Sequence, residues 1–549
     1  EGSSIISLRH LFNIIEPSSV IPICCNLRKR SATLSNGSVT WAIVSVFNAM
    51  SLSFIAVANK SLYKDLYSVG ARPGIMYGLP KIHKQSIPLR PIISSIGTFS
   101  YKTVKYLSKI LSPLAQNTHL LKDSHDFISR LNKLKLQNAY MVNFDVESLF
   151  KNVPLDYTIN LMLNRIYKDK ELDIPIPEND LKKLLELCTK DNVFLFDGLL
   201  YQQVDGVAMG SPLGPLLANI FMSHVEKLLF NSNLKHKINF WVRYVDDVFV
   251  IFDNVNPNIN NILCFLNSLH PNIKFTVEHE VNQCLHFLDV DIKFSNGVLS
   301  TSTYNKPTST DLYTVWNSFC PLSYKLSTIR SLFNRSIKLC SDKSTLLNEK
   351  LKLITNFHVK LDYPLHVLYD MYNVCVANMT DKLIFYGPHK PIIYIKLPFI
   401  GHLSCNKVKR LLKGICIKNK CLFDLKFVFV NNFTIGSLFK FKDRLSLDMK
   451  SHVVYRLDCL NCSAGYIGVT TRSLPARVQE HRDALKGVRS SAVADHSLRT
   501  GHSVDWSNVK VLACDSNEHD LFYLESLLIL KLKPTLNKMQ TSVNINLFT

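Results

Sequence analysis

The stretch Arg243-Tyr-Val-Asp-Asp-Val-Phe-Val-Ile-Phe252 places two adjacent acids in an otherwise apolar, β-branched and aromatic run. This pattern predicts two short strands that meet at a tight turn. Burying unpaired carboxylates between apolar strands costs on the order of several kcal/mol, so such acids are usually paired, bound to metal or exposed at the tip. A solvated hairpin turn, with aspartate selected for turn chemistry, explains this stretch equally well when it is taken alone.

A second acid ends a predicted strand upstream. The segment Ala139-Tyr-Met-Val-Asn-Phe-Asp145 has the alternation of a strand, and it runs into Val146-Glu-Ser-Leu-Phe-Lys-Asn-Val-Pro154 before a helical pattern. Between the two acidic segments lies Gly206-Val-Ala-Met-Gly-Ser-Pro-Leu-Gly-Pro215, a glycine-rich turn that opens an apolar helix. Two acidic strand ends with a glycine-rich turn between them favour a catalytic site over a solvated turn.

In this order, Asp145, the Met-Gly-Ser-Pro-Leu-Gly loop and Tyr244-Val-Asp-Asp247 resemble motifs A, B and C of the reverse transcriptase palm. Their versions here resemble most those of Penelope-like retroelements, relatives of telomerase reverse transcriptase. The resemblance implies that Asp145 and Asp246 bridge two divalent metals, Mg²⁺ or Mn²⁺, and that Asp247 is an auxiliary acid. Nucleotidyl transfer uses two such ions about 3.5–4 Å apart, and hard cations of this kind need carboxylate oxygens on rigid strands.

The resemblance also implies which residues contact the nucleotide and the template. Phe150 matches the aromatic residue that stacks under the incoming sugar and rejects a 2′-hydroxyl. Lys81 and Arg90 match residues of the fingers that reach the triphosphate, a task that suits the planar fork of arginine. An ordinary core phenylalanine and a basic hairpin with solvated side chains remain alternatives. The other residues assigned to substrate binding are Gln203, Gly210 and Tyr244, with Gly210 allowing close approach of the backbone to the templating base pair.

Length and composition predict a large basic protein, whose charge alone does not distinguish a nucleic-acid partner from an acidic membrane surface. The 549 residues predict several domains, and a formal net charge of +21 with 47% hydrophobic residues favours a folded protein with a polyanionic partner. The 14 cysteines form no regular framework, which indicates a reducing compartment. No clear signal peptide is present. The apolar segment Trp41–Val57 is considered as a membrane span, but its Ser and Asn content favours a buried helix.

Several further elements are predicted from local patterns. Helices are expected over residues 100–138 and 155–190, followed by a hairpin about Asp197-Gly198. The basic segment Ser323–Ser341 resembles the family's thumb, and such a helix would follow duplex phosphates without reading sequence. An ordinary amphipathic helix is an equal alternative on pattern alone.

The C-terminal part resembles a GIY-YIG endonuclease. Val453-Val-Tyr455, Tyr466-Ile-Gly468, Arg477, His481, Glu525 and Pro534-Thr-Leu-Asn537 follow one another in that family's order, although two valines replace the first residues of its name motif. The resemblance implies that both tyrosines, Arg477, His481 and a metal-binding Glu525 surround one scissile phosphate. Ser473 and Pro475 predict a helix start that places Arg477 and His481 on one face. A solvated glutamate is the alternative for Glu525.

A cysteine and histidine set accompanies this module. Cys459-Leu-Asn-Cys462 has metal-ligand spacing, and His496 and His502 lie in a loop-like stretch. Two cysteines and two histidines would make a closed, structural zinc site. This arrangement resembles the one found in Penelope-like endonucleases.

We therefore expect an α+β protein in which a right-hand polymerase of fingers, palm and thumb precedes a small α/β GIY-YIG nuclease domain with a structural zinc site. The expected domains are an unassigned segment 1–60, fingers and palm 61–298, thumb 299–395, a basic linker 396–450, the endonuclease 451–541 and a tail 542–549.

The expected function is RNA-directed DNA polymerisation joined to DNA nicking, so that a retroelement RNA is copied from a primer made at the target site. The partners would be the RNA template, target DNA, DNA primer and deoxynucleoside triphosphates, in the nucleus and not at a membrane. The alternatives are a group II intron maturase-like or other retroelement polymerase, and a host-adopted nucleic-acid-binding protein without catalysis.

Overall fold

The computed structural model describes residues 27–29, 60–82, 86–190, 192–203, 206–252, 258–380, 391–419, 422–431, 434–439, 442–487, 490–537 and 542–543. The apolar segment Trp41–Val57 lies outside this range. In the part of the chain that is described, no helix has the length and apolar character needed to cross a bilayer. The chain divides into two compact units, one comprising residues 1–116, 148–224 and 441–549 and the other residues 117–147 and 225–440.

The strands are β1 (Leu27–Lys29), β2 (Gly74–Pro80), β3 (Leu89–Ser94), β4 (Tyr140–Val146), β5 (Val193–Phe196), β6 (Leu199–Gln203), β7 (Phe240–Tyr244), β8 (Asp247–Phe252), β9 (Phe275–His279), β10 (Cys284–Phe287), β11 (Val290–Ser295), β12 (Val298–Thr303), β13 (Ile392–Pro398), β14 (Asp424–Val430), β15 (Ser451–Asp458), β16 (Gly465–Ser473) and β17 (Lys510–Cys514).

The helices are α1 (Lys60–Leu66), α2 (Tyr101–Leu111), α3 (Ser124–Leu131), α4 (Leu149–Asn152), α5 (Leu155–Leu163), α6 (Glu178–Thr189), α7 (Leu213–Phe230), α8 (Ile259–Ser268), α9 (Leu322–Leu339), α10 (Lys343–Thr355), α11 (Leu365–Thr380), α12 (His402–Lys418), α13 (Leu474–Ala484), α14 (Ala492–Thr500) and α15 (Glu518–Leu532).

The unit of residues 117–147 and 225–440 contains an antiparallel sheet in the order β7-β8-β4-β9. The central strand β8 is buried along its whole apolar length after Asp247, because it is paired on both edges and covered on both faces. Its Phe249 packs against Phe127 of α3 and Phe287 of β10. The polar ends of β4 and β8 therefore extend from a rigid, apolar sheet.

The same unit holds a meander of β10, β11 and β12 and a group of three helices, α9 to α11. The helices share a core of Ile329, Phe333, Phe357, Leu361 and Leu368. After them, β13 and β14 pair in parallel, and the crossover between them is α12.

The other unit contains a sheet in the order β1-β6-β5-β2-β3. Asp197 and Gly198, at the tip of the β5–β6 hairpin, both have positive φ, as a two-residue hairpin turn requires. The C-terminal part of this unit has its own antiparallel sheet, β16-β15-β17. Alternate residues of β15 pack on opposite faces: Val453, Tyr455 and Leu457 join a core with α13 and α14, whereas Val454 joins a core with α15.

The secondary structure confirms the strand of Asp145, the hairpin of Asp246 and Asp247, the Asp197-Gly198 hairpin and the helix predicted over Ser323–Ser341. Residues 100–138 are less continuous than expected, since the helical segments are Tyr101–Leu111, Ser112–Ala115 and Ser124–Leu131. The linker expected over residues 396–450 contains regular structure instead, because β13 begins at Ile392 and forms a β-α-β unit with α12 and β14.

Candidate functional site

The register of the β7-β8-β4-β9 sheet brings three acids together where strands β4 and β8 meet the turn. We call Asp145, Asp246 and Asp247 the acidic edge. Asp145 lies opposite Asp247, and the turn that holds Asp246 is tied to β4 because the Val146 backbone N–H donates to the Asp246 carbonyl oxygen over 3.3 Å. Tyr244 lies opposite Asp247 across the same turn and is exposed. The structure thus places the acids predicted from the sequence together at the end of rigid strands.

The turn itself is strained at Val245. Its φ is 59°, in the left-handed region where a β-branched residue is rarely found. Such a conformation costs about 1–3 kcal/mol and persists only where the surroundings enforce it. One enforcing contact is visible, since Arg243 Nη1 donates to the Val245 carbonyl oxygen over 3.0 Å.

Arg243 is fully buried beneath this turn and forms an ion pair with Glu226 of α7, which is 1% exposed. Arg243 Nε lies 2.7 Å from Glu226 Oε1, and Asn117 Nδ2 donates to Glu226 Oε2 over 2.7 Å. Trp241 Nε1 also donates to Glu226 Oε1, over 3.3 Å. The pair connects the helix that follows the glycine-rich loop to the acidic turn, and the sequence analysis did not identify it.

Breaking this buried pair should destabilise the unit and disturb the turn. Glu226→Gln leaves the Arg243 charge buried without its partner, which we expect to cost about 3–5 kcal/mol of unfolding free energy. The double variant Glu226→Leu/Arg243→Met should be more stable than Glu226→Gln, yet it should extend primers slowly because Val245 has lost its donor. Urea unfolding and primer extension measure the two effects.

Lys274→Met provides the control, because its ion pair with Glu147 is exposed and such pairs contribute about 0–1 kcal/mol. Wild-type extension by the double variant would show that Arg243 does not position the turn.

The acids affect one another electrostatically. Desolvation, followed by the charges of Asp246 and Asp145, raises the pKa of Asp247 to about 6, although Lys306 opposes the shift. A carboxylate whose ionisation is disfavoured by adjacent carboxylates belongs to the kind of donor set that a divalent cation neutralises. The three acids therefore fit the divalent metal that the resemblance implies.

The predicted triphosphate contacts lie on one hairpin. Arg90 is exposed on β3 opposite Leu79 of β2, and the Lys81 backbone N–H donates to the Pro88 carbonyl oxygen over 2.9 Å. Lys81, which is half-buried, and Arg90 therefore lie near the same end of this hairpin, and their contact with the triphosphate stays a prediction.

The glycine-rich loop rests on the neighbouring strand. Gly210 has a φ of 121°, and a Cβ there would lie 2.4 Å from the Ile93 carbonyl oxygen of β3. Glycine is therefore required at position 210 because a side chain would collide with the backbone of β3. The sequence had suggested a different reason, close approach to the templating base pair. Phe150 is half-buried, with its ring 3.6 Å from a Cβ built on Gly214, and Gln203 is buried at the end of β6.

A second cluster lies in the C-terminal part. Tyr455 of β15, which is fully buried, has its hydroxyl 2.7 Å from His481 Nε2, and Arg477 Nε donates to the same hydroxyl over 3.2 Å. Tyr466 packs against the His481 ring, and Glu525 of α15 is close enough to both tyrosines to raise their pKa values. The structure thus brings together all five residues predicted for this site.

Four further residues support the cluster; the motifs quoted from the sequence include Gly468 and Asn537 but not Ser491 or Glu480. A Cβ on Gly468 would lie 2.7 Å from both the Tyr455 hydroxyl and the Tyr466 ring, so only glycine permits this packing. Ser491 Oγ lies 2.7 Å from His481 Nδ1, and Glu480 pairs with Arg477 over 2.9 Å. Asn537, already noted in the Pro-Thr-Leu-Asn segment, bonds both the N–H and the carbonyl of Ile467 and fixes the strand beside Tyr466.

Burial shifts the ionisation of the cluster. Desolvation, and then the Arg477 charge, lowers the pKa of His481 to about 4, so this ring is neutral at pH 7. Desolvation raises the pKa of Tyr455 and also that of Glu525, although a hydrogen bond from Ser542 and the charge of Arg477 oppose the shift at Glu525. A neutral His481 can accept the Tyr455 proton at Nε2.

The cysteine and histidine set also converges. Candidate ligand atoms of Cys459, Cys462, His496 and His502 all lie within 4.8 Å of one another, the single such group found among the described residues. Cys462 Sγ is 3.6 Å from His496 Nε2. His502 Nδ1 is buried and has no hydrogen-bond partner among the described residues, as expected for an atom that binds a metal. These donors fit zinc.

Comparisons with known proteins give two family matches. Residues 82–285 match the family described as reverse transcriptase (RNA-dependent DNA polymerase), and residues 312–370 match the animal helix-turn-helix domain. A search of curated proteins found no match.

Solved structures similar to this chain include telomerases and a viral polymerase. Candida albicans telomerase with a TWJ fragment of telomeric RNA is 13% identical with a TM-score of 0.43, covering 69% of this chain and 67% of that one. Apo telomerase from Candida tropicalis is 13% identical with a TM-score of 0.38 and coverages of 67% and 67%. The Sicinivirus 3Dpol RNA-dependent RNA polymerase is 12% identical with a TM-score of 0.40 and coverages of 58% and 71%.

The first family match contains the whole acidic edge, because Asp145, Asp246 and Asp247 all lie within residues 82–285. It also contains Arg90, Phe150 and the glycine-rich loop. Residues 82–285 are therefore a reverse transcriptase domain, an RNA-directed DNA polymerase with a mixed α/β fold.

Proposed function

We propose that this protein is a Penelope-like retroelement enzyme, in which the reverse transcriptase is joined to a DNA-nicking endonuclease of the GIY-YIG type. It copies a retroelement RNA from a primer made at a nick in target DNA, in the nucleus. The observation that carries the proposal is the cluster of buried Tyr455, His481 and Glu525 with half-buried Arg477, in a chain that also has the polymerase acids. Nicking of supercoiled plasmid, followed by RNA-templated extension of the nick, tests it.

In the polymerase, Asp145 and Asp246 would hold two divalent cations, with Asp247 beside them. The bound cations would activate the primer 3′-hydroxyl and stabilise the leaving pyrophosphate. The rigid sheet and the Arg243–Glu226 pair keep the carboxylates in place. Lys81 and Arg90 bind the triphosphate, where the guanidinium can contact two phosphate oxygens at once.

Phe150 sets the preference for deoxynucleotides under this proposal. Phe150→Ala should admit ribonucleotides, because it opens the space beside the sugar 2′ carbon, whereas Phe150→Tyr should retain discrimination. Competition between labelled dNTP and NTP during primer extension measures the ratio. Unchanged discrimination in Phe150→Ala would assign Phe150 to the core alone.

In the nuclease, Glu525 would hold one divalent cation at the scissile phosphate, and Arg477 would neutralise the charge that develops in the transition state. Water gives a proton to the Tyr455 oxygen while the Tyr455 hydroxyl proton moves to His481 Nε2. The new bond joins the water oxygen to phosphorus, and the P–O3′ bond breaks. The O3′ oxygen leaves with a proton from solvent, so the nicked strand ends in the 3′-hydroxyl that a polymerase extends.

The four cysteine and histidine residues would form a structural zinc site in this module. Cys459 and Cys462 follow β15, whereas His496 and His502 lie on or just after α14. A closed tetrahedral site would therefore join the sheet to a helix that forms part of the nuclease core.

Loss of this site should unfold the nuclease without affecting the polymerase. Cys459→Ser or His502→Ala should remove one zinc per chain and abolish nicking, because structural zinc contributes folding free energy directly. Cys514→Ser is the control, since Cys514 is exposed in the same module and lies outside the cluster. Metal content and nicking are measured on the purified chains; a zinc-free protein that still nicks would refute the site.

A further inference from the structure

The β13–α12–β14 unit, residues 392–430, belongs neither to the acidic edge nor to the Tyr455 cluster. Its described charged residues are strongly biased, because Asp424 is the only acid among them. The basic residues are all exposed: Lys396, Lys407, Lys409, Arg410, Lys413, Lys418 and Lys426. Such a field attracts a polyanion.

The two faces of the β13–β14 ribbon differ. α12 packs against β14, and the side chains at Ile395, Leu397, Leu425 and Phe427 are half-buried at alternate positions. The residues at the other alternate positions project to the opposite side of the pleat and are exposed: Ile392, Tyr394, Lys396, Pro398, Asp424, Lys426 and Val428. We call these seven residues the open face.

The open face combines an aromatic ring with cations. Tyr394 is 64% exposed and lies opposite Lys426 in the strand register, with Lys426 Nζ 5.8 Å from its ring centroid. Lys396 is two residues further along the same strand and so on the same face. A flat aromatic surface flanked by ammonium groups can stack an unpaired base and contact the adjoining phosphates.

We propose that the open face binds single-stranded nucleic acid, with one base stacked on Tyr394 and phosphates on Lys396 and Lys426. Stacking needs an unpaired base, which separates this ligand from a duplex. The one described acid of the unit, Asp424, lies opposite Ile392 at one end of the open face, and a single acid among seven exposed basic residues is not the acidic surface that a basic protein partner would require. The inference adds a binding site to the enzyme and does not depend on the nuclease proposal.

The test uses the full chain with its polymerase site filled by excess unlabelled primer–template duplex. Fluorescence anisotropy then measures binding of a labelled 15-nucleotide single strand, as RNA and as DNA. Tyr394→Ala should weaken binding about 5- to 150-fold, because base stacking on one ring contributes about 1–3 kcal/mol. Tyr394→Phe should bind as the wild type does, because it keeps the ring. Lys396→Ala and Lys426→Ala should each lower the salt slope by about one unit.

Tyr523→Ala is the matched control, since Tyr523 is exposed on α15 at 49%. If Tyr394→Ala binds both the RNA and the DNA strand more weakly than the wild type, the site accepts either backbone. If only RNA binding is weakened, the site is specific for RNA. Wild-type affinity in Tyr394→Ala would overturn the proposal. It would equally be overturned if Tyr394→Ala weakened binding to anionic vesicles but not to either strand.

Discussion

Asp246→Asn should stop DNA synthesis on an RNA template while leaving the protein folded. The side chain is half-buried in an exposed turn, so the amide fits without a packing change. The substitution removes the negative charge with which Asp246 would bind both cations. We expect primer extension to fall by roughly a thousandfold or more, because the cations stabilise the transition state by several kcal/mol and each 1.4 kcal/mol is a factor of ten. Asp145→Asn should behave in the same way.

Extension of a labelled DNA primer on RNA and DNA templates, with Mg²⁺ or Mn²⁺, measures this effect. Asp173→Asn is the control, because it makes the same chemical change at an exposed acid that is distant in sequence from Asp145 and Asp246. If Asp246→Asn extends the primer at the wild-type rate with its thermal unfolding unchanged, the acidic edge is not the catalytic site.

Glu525→Gln should abolish nicking of supercoiled DNA without weakening DNA binding. Glu525 is buried beside Arg477 and both tyrosines, and the amide cannot supply the charge that would hold a cation there. Arg477→Ala should lose nicking by about 10²- to 10³-fold, as expected when one group that stabilises transition-state charge is removed. It should also lose some binding, because Arg477 would contact the phosphate.

The matched control is Glu518→Gln, an exposed acid in the first turn of the same helix. Polymerase activity on a supplied primer should survive in all three variants. Nicking by Glu525→Gln at the wild-type rate would make residues 451–541 a DNA-binding module without cleavage activity.

The pH profile of nicking provides a further readout of the same prediction. His481 accepts a proton only when neutral, and its pKa is about 4 in the folded protein against 6.5 ordinarily. Nicking should therefore not decline near pH 6.5 but only as the pH falls toward 4. As the pH falls, the unfolded chain binds this proton at a higher pH than the folded protein does. The contribution of His481 to stability is therefore present above pH 6.5 and is lost as the pH falls from 6.5 to about 4.

The sequence was most informative where the signal is local. Asp145 lies near the end of one short apolar strand and Asp247 begins another, and Asp197-Gly198 suits the φ requirements of a hairpin turn, so strand ends and turns followed from residue types alone. Ser473 likewise predicts the start of α13, and its side chain caps the Ala476 N–H. Arg477 and His481 then lie on one face of that helix, as their spacing requires.

The missed features depend on residues that are distant in the sequence. Nothing near Arg243 indicates that Glu226 of α7 is its partner, because the pairing is created when the helix packs under the turn. Ser491 contacts His481 only after α13 and α14 come together. The β13–β14 ribbon was overlooked for the same reason: its parallel strands are separated by a whole helix, and the basic residues between them suggested a linker.

The covalent product of a coupled reaction tests the joint function most directly. Supercoiled plasmid, a template RNA and labelled deoxynucleotides are incubated with the wild-type chain, and the junction between plasmid and new DNA is sequenced. We predict new DNA joined to the 3′ end of a nicked plasmid strand. Glu525→Gln should form no junction on intact plasmid but should extend a plasmid nicked beforehand, whereas Asp246→Asn should nick without extending. New DNA that is never joined to the plasmid, from a wild-type protein that extends free primers, would contradict the account.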